Sequence, residues 1–107
     1  MASFETETTA SGATRVVFKS DFTMDQTPEF MQFFKTQLEQ GVTQWEICMH
    51  ELEIINSEFI GSLVMLNVSV NNAKGKGLVR YMLKKDSDLH QLFLQSKLDR
   101  ILNIHPE

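Results

Sequence analysis

The segment from Asn56 to Gly61 combines an amide, a hydroxyl and a carboxylate at the point where an apolar stretch changes to helical spacing. It follows Ile54-Ile55 and reads N-S-E-F-I-G. A helix N-terminus presents unpaired N–H groups and the positive end of the helix dipole, so phosphate is stabilised there. Ser57 is therefore suited to carry a phosphoryl group. Capping the helix is the simpler role for this residue, because Ser and Asn are ordinary N-cap residues.

Nucleophilic catalysis is the other chemistry that the hydroxyl of Ser57 could perform. An attacking serine needs a base within hydrogen-bond reach and usually a glycine-flanked turn, G-x-S-x-G. Ile55 and Phe59 occupy the two glycine positions. The histidines match no triad spacing and are His50, His90 and His105. We therefore predict that the chain is not an enzyme and has no catalytic residue.

The sequence also predicts neither a metal nor a cofactor. Cys48 is the only cysteine, whereas metal sites normally combine several Cys, His or carboxylate ligands. The segment Gly75-Lys76-Gly77 lacks the pattern G-x-x-x-x-G-K-[ST] and precedes a predicted strand rather than a helix. A basic cluster in the second half indicates a solvated face or a docking site for an acidic partner, and consists of Lys74, Lys76, Arg80, Lys84 and Lys85.

The composition is typical of one folded domain, which we assign to residues 1–107. Of these residues 42% are hydrophobic and 22% are charged. The net charge of -4 and the pI near 5.3 oppose binding to nucleic acid or to an anionic membrane. Glu5 and Glu7 stand where a signal peptide needs basic residues, and a lone cysteine suits a reducing compartment. We predict a cytoplasmic protein, with the oligomeric state left open and a monomer as the expectation.

The first third of the chain predicts a hairpin and a helix. Polar and apolar residues alternate over 4–8, Ser11-Gly12-Ala13 supplies a turn, and a second strand spans 14–19. A helix begins at Thr27-Pro28-Glu29 and ends at Gly41. One face of this helix is apolar and carries Phe30, Phe33, Phe34 and Leu38.

The middle of the chain predicts a buried strand followed by a second helix. The strand begins at Trp45 and, after a more polar interval, resumes at Ile54-Ile55. From Ser57 the spacing becomes helical, and Gly61 and Ser62 are expected to allow close packing. The apolar stripe of this helix carries Phe59, Leu63, Leu66 and Val70.

The last third predicts a turn over 71–77, a strand over 78–83 and a helix capped by Ser87. A final amphipathic turn or short helix carries Leu98, Ile101, Leu102 and Ile104. Strands that alternate with helices after a hairpin predict an α/β fold, with a mixed sheet of four to five strands, an N-terminal antiparallel hairpin and helical crossovers. Binding sites gather at the C-terminal ends of parallel strands, and Ser57 is predicted to lie at one of them.

Three segments in this order resemble the STAS family of anti-sigma-factor antagonists. The family motif D-S-S/T-G-L-G corresponds to the segment from Asn56 to Gly61, and its G-E-L-D corresponds to Ser20-Asp21-Phe22-Thr23. The closing leucine pattern around G-L-D-R-L-F resembles the residues from Lys97 to Leu102. The resemblance covers nearly the whole chain and implies a single STAS-like domain.

The phosphorylated serine of that family falls on Ser57. Four neighbouring positions depart from the family pattern: Asn56 replaces an Asp, Glu58 a hydroxyl residue, Phe59 a glycine and Thr23 an Asp. The loss of two acids eases repulsion of phosphate, while Glu58 restores part of it.

The resemblance implies a regulator that binds a partner until Ser57 is phosphorylated. Its implied partners are an anti-sigma-type serine kinase, a PP2C-like serine phosphatase and a downstream effector. The partner-binding residues that follow from the matched motifs are Asp21, Phe22, Thr23, Asn56, Ser57, Glu58, Phe59 and Ile60, with Phe22, Phe59 and Ile60 included on condition that they are exposed.

A different class of function is compatible with the same residues. The chain could be a constitutive structural subunit of a signalling or transport complex, in which Ser57 is never phosphorylated. The degenerate motif favours this alternative, and the retained serine favours the switch.

Overall fold

The computed structural model describes residues 4–52, 55–72 and 77–107. Within these ranges five strands form a mixed sheet, and they are β1 (Phe4–Thr8), β2 (Thr14–Phe18), β3 (Gln44–Cys48), β4 (Leu78–Leu83) and β5 (Ile104–Pro106). The α-helices are α1 (Thr27–Glu39), α2 (Ser57–Asn71) and α3 (Asp88–Gln95), with 3-10 turns at Met24–Gln26 and Leu98–Arg100. No helix in these ranges is both long and apolar enough to cross a membrane.

The predicted fold class is confirmed. Strands β1 and β2 form an antiparallel hairpin, and β2, β3, β4 and β5 are parallel neighbours joined by helical crossovers. The end of α1 follows from Gly41, whose φ of 88° suits glycine. The amides of Gly41 and Val42 donate to the carbonyls of Leu38 and Gln37, which closes the helix as a Schellman motif.

The order of the strands in the sheet places all three helices on one face. The spatial order β1-β2-β3-β4-β5 is the order along the chain, so each parallel crossover moves in the same direction. Right-handed crossovers that never reverse direction leave every helix on the same side of the sheet. The core lies between this layer and the strand side chains that face it, among them Val16, Phe18, Ile47, Tyr81 and Leu83.

The predicted central strand was too long. Strand β3 ends at Cys48, because the chain turns at Met49, where the carbonyl accepts from the amide of Leu52. Ile55 lies outside any strand, and Glu53 and Ile54 lie outside the described residues, as do residues 73–76 of the predicted turn.

The predicted C-terminal turn was correct in part. Leu98 begins a 3-10 turn, and Leu98 and Leu102 are buried, but the side chain of Ile101 is 57% exposed. Ile104 belongs to β5, where it pairs with Tyr81. The sequence pattern suggested a helix because the last strand is only three residues long, too short for alternation to show.

A buried polar network joins α2 to β4 and to the C-terminal segment. The Tyr81 hydroxyl lies 3.1 Å from the Leu63 carbonyl oxygen and 3.3 Å from Asn67 Oδ1. The amide nitrogen of Asn67 donates to the carbonyl of Ile101 at 3.4 Å. Burial raises the pKa of the Tyr81 hydroxyl, so this donor stays protonated.

Candidate functional site

Ser57 is the first residue of α2 and its side chain is exposed. Helix α2 follows β3 in the chain, so its N-terminus lies at the edge of the sheet where the parallel strands end. The Ser57 hydroxyl forms no hydrogen bond with a residue in the described ranges. The hydroxyl is therefore free to be modified as far as these residues determine it.

Asn56, rather than Ser57, caps the helix. Its backbone is extended, with φ of -116° and ψ of 176°, and its Oδ1 accepts from the Phe59 amide at 2.9 Å. Its carbonyl accepts from the amide of Ile60 at 3.1 Å. The capping role considered for Ser57 is thus filled by its neighbour, which leaves the hydroxyl without a structural task.

The first two amides of α2, those of Ser57 and Glu58, have no acceptor among the described residues. Unpaired N–H groups in the first turn carry most of the positive end of the helix dipole. The Glu58 side chain is exposed in the same turn and adds a negative charge beside Ser57. The local field therefore combines an attraction for anions with one close repulsive carboxylate.

The loop after β2 is held by its own side chains. The Thr23 amide donates to Gln26 Oε1 at 2.9 Å, and the Gln26 amide donates to the Thr23 carbonyl at 2.9 Å. The Thr23 hydroxyl also donates to the carboxylate of Asp25. Asp21 and Thr23 are exposed in this loop, so they can meet a partner without rearrangement of the backbone.

Two aromatic rings join this loop to the start of α2. The ring centroids of Phe22 and Phe59 lie 5.8 Å apart in an edge-to-face arrangement, and both rings contact Phe18. The two segments that the sequence proposed as one surface are therefore neighbours in the fold. We call the exposed residues that flank these rings the Ser57 surface, which consists of Asp21, Thr23, Asn56, Ser57 and Glu58.

Burial removes two residues from the predicted partner-binding set. The side chain of Phe22 is 5% exposed and that of Phe59 is 0% exposed, so neither meets the condition of exposure. Their rings belong to the core because Phe59 leads the apolar stripe of α2 and Phe22 packs on β2. Ile60 is half-buried and packs against the core as well.

Two further expectations about α2 are corrected. Gly61 was expected to allow close packing, but a Cβ at this position would have no heavy atom within 4 Å. Ser62, in contrast, is buried, and its hydroxyl donates to the Phe59 carbonyl at 2.6 Å. Ser62 therefore offers no accessible second phosphorylation site in this fold.

A polar cleft lies on the same edge of the sheet and was not predicted. It has a volume of about 620 Å³ and is lined by residues that follow β2, β3 and β4 and by the start of α3, including Ser20, His50, Glu51, Lys84 and Asp88. The signal for it in the sequence is the polar residues directly after each parallel strand. Its three acids, Glu51, Asp86 and Asp88, face only two basic side chains, which is a poor match for an anion.

The side chains of the described residues form no metal site. Within these ranges no group of three or more His, Cys, Asp or Glu side chains is arranged to hold a metal ion. The histidines are dispersed: His50 lines the cleft, His105 lies on β5, and Nδ1 of the buried His90 accepts from the Asp86 amide at 3.0 Å.

The open face of the sheet carries a charge cluster that sequence reasoning also missed. The guanidinium of Arg15 donates through Nε and Nη2 to Glu46 Oε1, at 3.1 and 3.0 Å. These bonds to Glu46 raise the pKa of Arg15. Arg80, predicted as part of a basic cluster, lies beside the same carboxylate, with Nη2 3.7 Å from Oε2. Lys84 and Lys85 are exposed beyond the end of β4.

Comparisons of the chain with protein-family models, with curated proteins and with solved structures find no match. The resemblance to the STAS family therefore stays a prediction from the sequence motifs.

Proposed function

We propose that the chain is a non-enzymatic, cytoplasmic partner-switching regulator, similar to the anti-sigma-factor antagonists, in which phosphorylation of Ser57 breaks a protein complex. The observation that carries the proposal is the position of Ser57. Its hydroxyl is exposed and has no hydrogen-bond partner among the described residues, and Asn56 already fills the capping role. The contact between Phe22 and Phe59 adds support, because it brings the second matched segment beside the first.

The proposed switch is electrostatic. A phosphoryl group adds about -1.5 to -2 charges at the N-terminus of α2. Within the domain the helix dipole makes this addition favourable by about 0.3 to 1 kcal/mol, so the fold changes little. At an interface the same charge meets a desolvation cost and acidic neighbours. A penalty of about 3 kcal/mol there would weaken binding by roughly two orders of magnitude.

The proposed partners are an anti-sigma-type serine kinase, which may also be the sequestered target, a PP2C-like phosphatase and a downstream effector. ATP and metal would belong to the enzymes, and the domain would contribute the Ser57 surface. Asp21, Thr23 and Glu58 make this surface acidic or neutral, so the partner is expected to offer basic or hydrogen-bonding side chains.

Phosphorylation by the kinase encoded beside this chain tests the proposal. Intact mass should show one added phosphoryl group on the wild type and on Ser69→Ala, a matched change in the same helix, and none on Ser57→Ala. A wild-type chain that gains no phosphate, or a Ser57→Ala chain that gains as much as the wild type, would exclude Ser57 as the switch.

Binding to the same kinase tests the electrostatic step. Ser57→Asp should abolish binding in a titration by calorimetry and leave the thermal melt nearly unchanged, while Ser57→Ala should bind as the wild type does. Equal affinity of Ser57→Asp and wild type would contradict the mechanism.

The constitutive structural subunit is the second candidate, and the exposed carboxylate of Glu58 favours it, because it repels phosphate from the adjacent hydroxyl. This candidate predicts that the domain binds its complex equally well as wild type, Ser57→Ala and Ser57→Asp, and that the kinase leaves all three unmodified.

A further inference from the structure

One face of the sheet has no helix on it. Because the crossovers that carry α1, α2 and α3 all run in the same direction, the helices share the opposite face. Parallel sheets in folded proteins are normally covered on both faces. Four of the five strands here belong to the parallel part, so the open face is unusual for an isolated chain.

The open face carries a row of alternating charges. The register aligns Glu7 with Arg15, Arg15 with Glu46 and Glu46 with Arg80, so the four side chains cross the sheet from β1 to β4 in the order minus, plus, minus, plus. Neighbouring strands lie about 4.8 Å apart, which makes the row regular as well as alternating. We call these four residues the charge row.

The two ends of the charge row are poorly satisfied compared with its centre. Arg15 donates to Glu7 Oε1 at 3.0 Å and twice to Glu46. The Arg80 guanidinium reaches Glu46 only at 3.7 Å, beyond hydrogen-bond distance, and its Nε is buried with no hydrogen-bond partner among the described residues. The side chains of Glu7 and Arg80 remain 58% and 42% exposed. Both ends therefore retain capacity for a further ionic partner.

We propose that a second copy of this chain covers the open face and forms a two-fold symmetric dimer. Consider a two-fold axis that lies between the sheets, parallel to the strands and midway between β2 and β3. Rotation about this axis reverses the charge row, so Glu7 faces Arg80 of the second copy and Arg15 faces its Glu46. All four contacts are then between opposite charges, and the two unsatisfied ends meet each other.

The same charges exclude the other in-plane symmetry. A two-fold axis parallel to the charge row would place Glu46 over Glu46 and Arg15 over Arg15, and like charges in an interface cost several kcal/mol. Isologous two-fold dimers are the commonest protein oligomers, so one symmetric and self-complementary arrangement is sufficient to specify the assembly.

Apolar side chains beside the charge row supply the contact area. Val17, Cys48 and Met82 are aligned across β2, β3 and β4 on the open face, one pleat along from the charge row. Under the proposed axis Val17 faces Cys48 of the second copy. The interface thus combines a strip of apolar contact with ionic pairs that fix its register, which replaces the monomer expected from the sequence.

Charge reversal at the two ends of the row tests the dimer. Glu7→Arg alone puts two cations in contact across the axis, and Arg80→Glu alone puts two anions in contact. Each variant should raise the dimer dissociation constant by about tenfold or more in analytical ultracentrifugation. Controls of equal charge change on the helix layer, Glu39→Arg and Lys35→Glu, should leave it unchanged.

An equimolar mixture of the two variants separates the interface from effects within each chain. In the mixed dimer position 7 of one chain faces position 80 of the other with opposite charges at both ends, so association should return to near the wild-type level. Each variant keeps its own perturbed contacts in the mixture. Circular dichroism establishes beforehand that both variants are folded.

The wild type supplies a measurement that needs no variant. Its dissociation constant should rise as NaCl is added, because salt screens the exposed ends of the charge row. A wild-type chain that stays monomeric at every concentration would overturn the proposal and leave the face to another protein. A dimer insensitive to both reversals, or two folded variants that fail to associate when mixed, would overturn the proposed axis. The Ser57 surface is not altered in any of these samples, so the result is independent of the proposed switch.

Discussion

The ring of Phe22 lies edge to face against the ring of Phe59, with centroids 5.8 Å apart, although 36 residues separate them in the chain. This contact couples the loop after β2 to the first turn of α2. The exposed neighbours of the two rings, including Thr23 and Ser57, therefore occupy fixed positions relative to each other. The proposed switch depends on this arrangement, because a partner must contact both segments to sense a charge added to one of them.

The pair should be energetically coupled. Phe22→Leu and Phe59→Leu are each expected to lower the free energy of unfolding by about 1 kcal/mol or more. The double variant should lose less than the sum, by roughly 0.5 to 1.5 kcal/mol, because the ring contact is lost only once. Denaturant titrations of the four proteins measure the coupling. Phe22→Leu combined with Phe93→Leu, whose ring has no contact with Phe22 in the structure, should be additive.

Asn56 and Ser57 should respond differently to alanine. Asn56→Ala removes the side-chain acceptor of the Phe59 amide and should lower the free energy of unfolding by about 1 kcal/mol. Ser57→Ala removes a hydroxyl with no described partner and should change it by less than about 0.5 kcal/mol. Urea denaturation followed by circular dichroism checks both values. The reverse order of the two effects would mean that the hydroxyl of Ser57 caps the helix.

Gly77 and Gly61 should respond to alanine with opposite signs. A Cβ at Gly77 would lie 2.1 Å from Val70 Cγ1 and 2.8 Å from the Thr43 carbonyl oxygen, so Gly77→Ala should lower stability by roughly 1 to 3 kcal/mol. A Cβ at Gly61 has open space in the exposed interior of α2, so Gly61→Ala should raise stability by roughly 0.5 to 1 kcal/mol. Thermal melts of the two variants beside the wild type measure the difference. Equal losses in both would contradict the close approach at Gly77.

The single cysteine should make stability depend on alkaline pH. Burial raises the pKa of the Cys48 thiol in the folded chain above that of the unfolded chain, which is about 8.5. A raised acid pKa contributes stability that is fully present below the unfolded value and is lost as the pH rises toward the folded value.

The contribution of Cys48 is isolated by comparison with Cys48→Ala. The difference in unfolding free energy between wild type and this variant should be constant below about pH 8 and should fall between about pH 8 and pH 10. A difference that stays constant through this range would show that the thiol ionises equally in both states. Tyr81 is present in both proteins, so its own raised pKa does not enter the comparison.

Local signals in the sequence were sufficient for most of the fold. The hairpin, α1, β4 and α3 begin and end close to their predicted positions, because each has its own cap or turn residue and its own periodicity. Ser87 illustrates this: its hydroxyl accepts from the His90 amide, as the pattern of a polar cap before an apolar face predicted. Gly41 ends α1 for the same kind of local reason.

Other features depended on which segments meet in space. Phe22 and Ser62 are buried although similar residues are often exposed, and Gly61 is exposed although it was expected to pack. Strand β5 was missed because three residues acquire strand geometry only by pairing with β4. None of these outcomes is encoded in the periodicity of a single segment.

The sequence by itself determined the α/β class, the start of α2 at the Asn56-Ser57 pair and the presence of a hydroxyl there, because caps, turns and apolar periodicity act over a few residues. Only the tertiary structure decided that Asn56 takes the capping role, that Phe22 and Phe59 form a floor beneath the Ser57 surface, and that Glu7, Arg15, Glu46 and Arg80 align across an open face. These features depend on strand register and on the hand of the crossovers, which bring together residues that are distant along the chain.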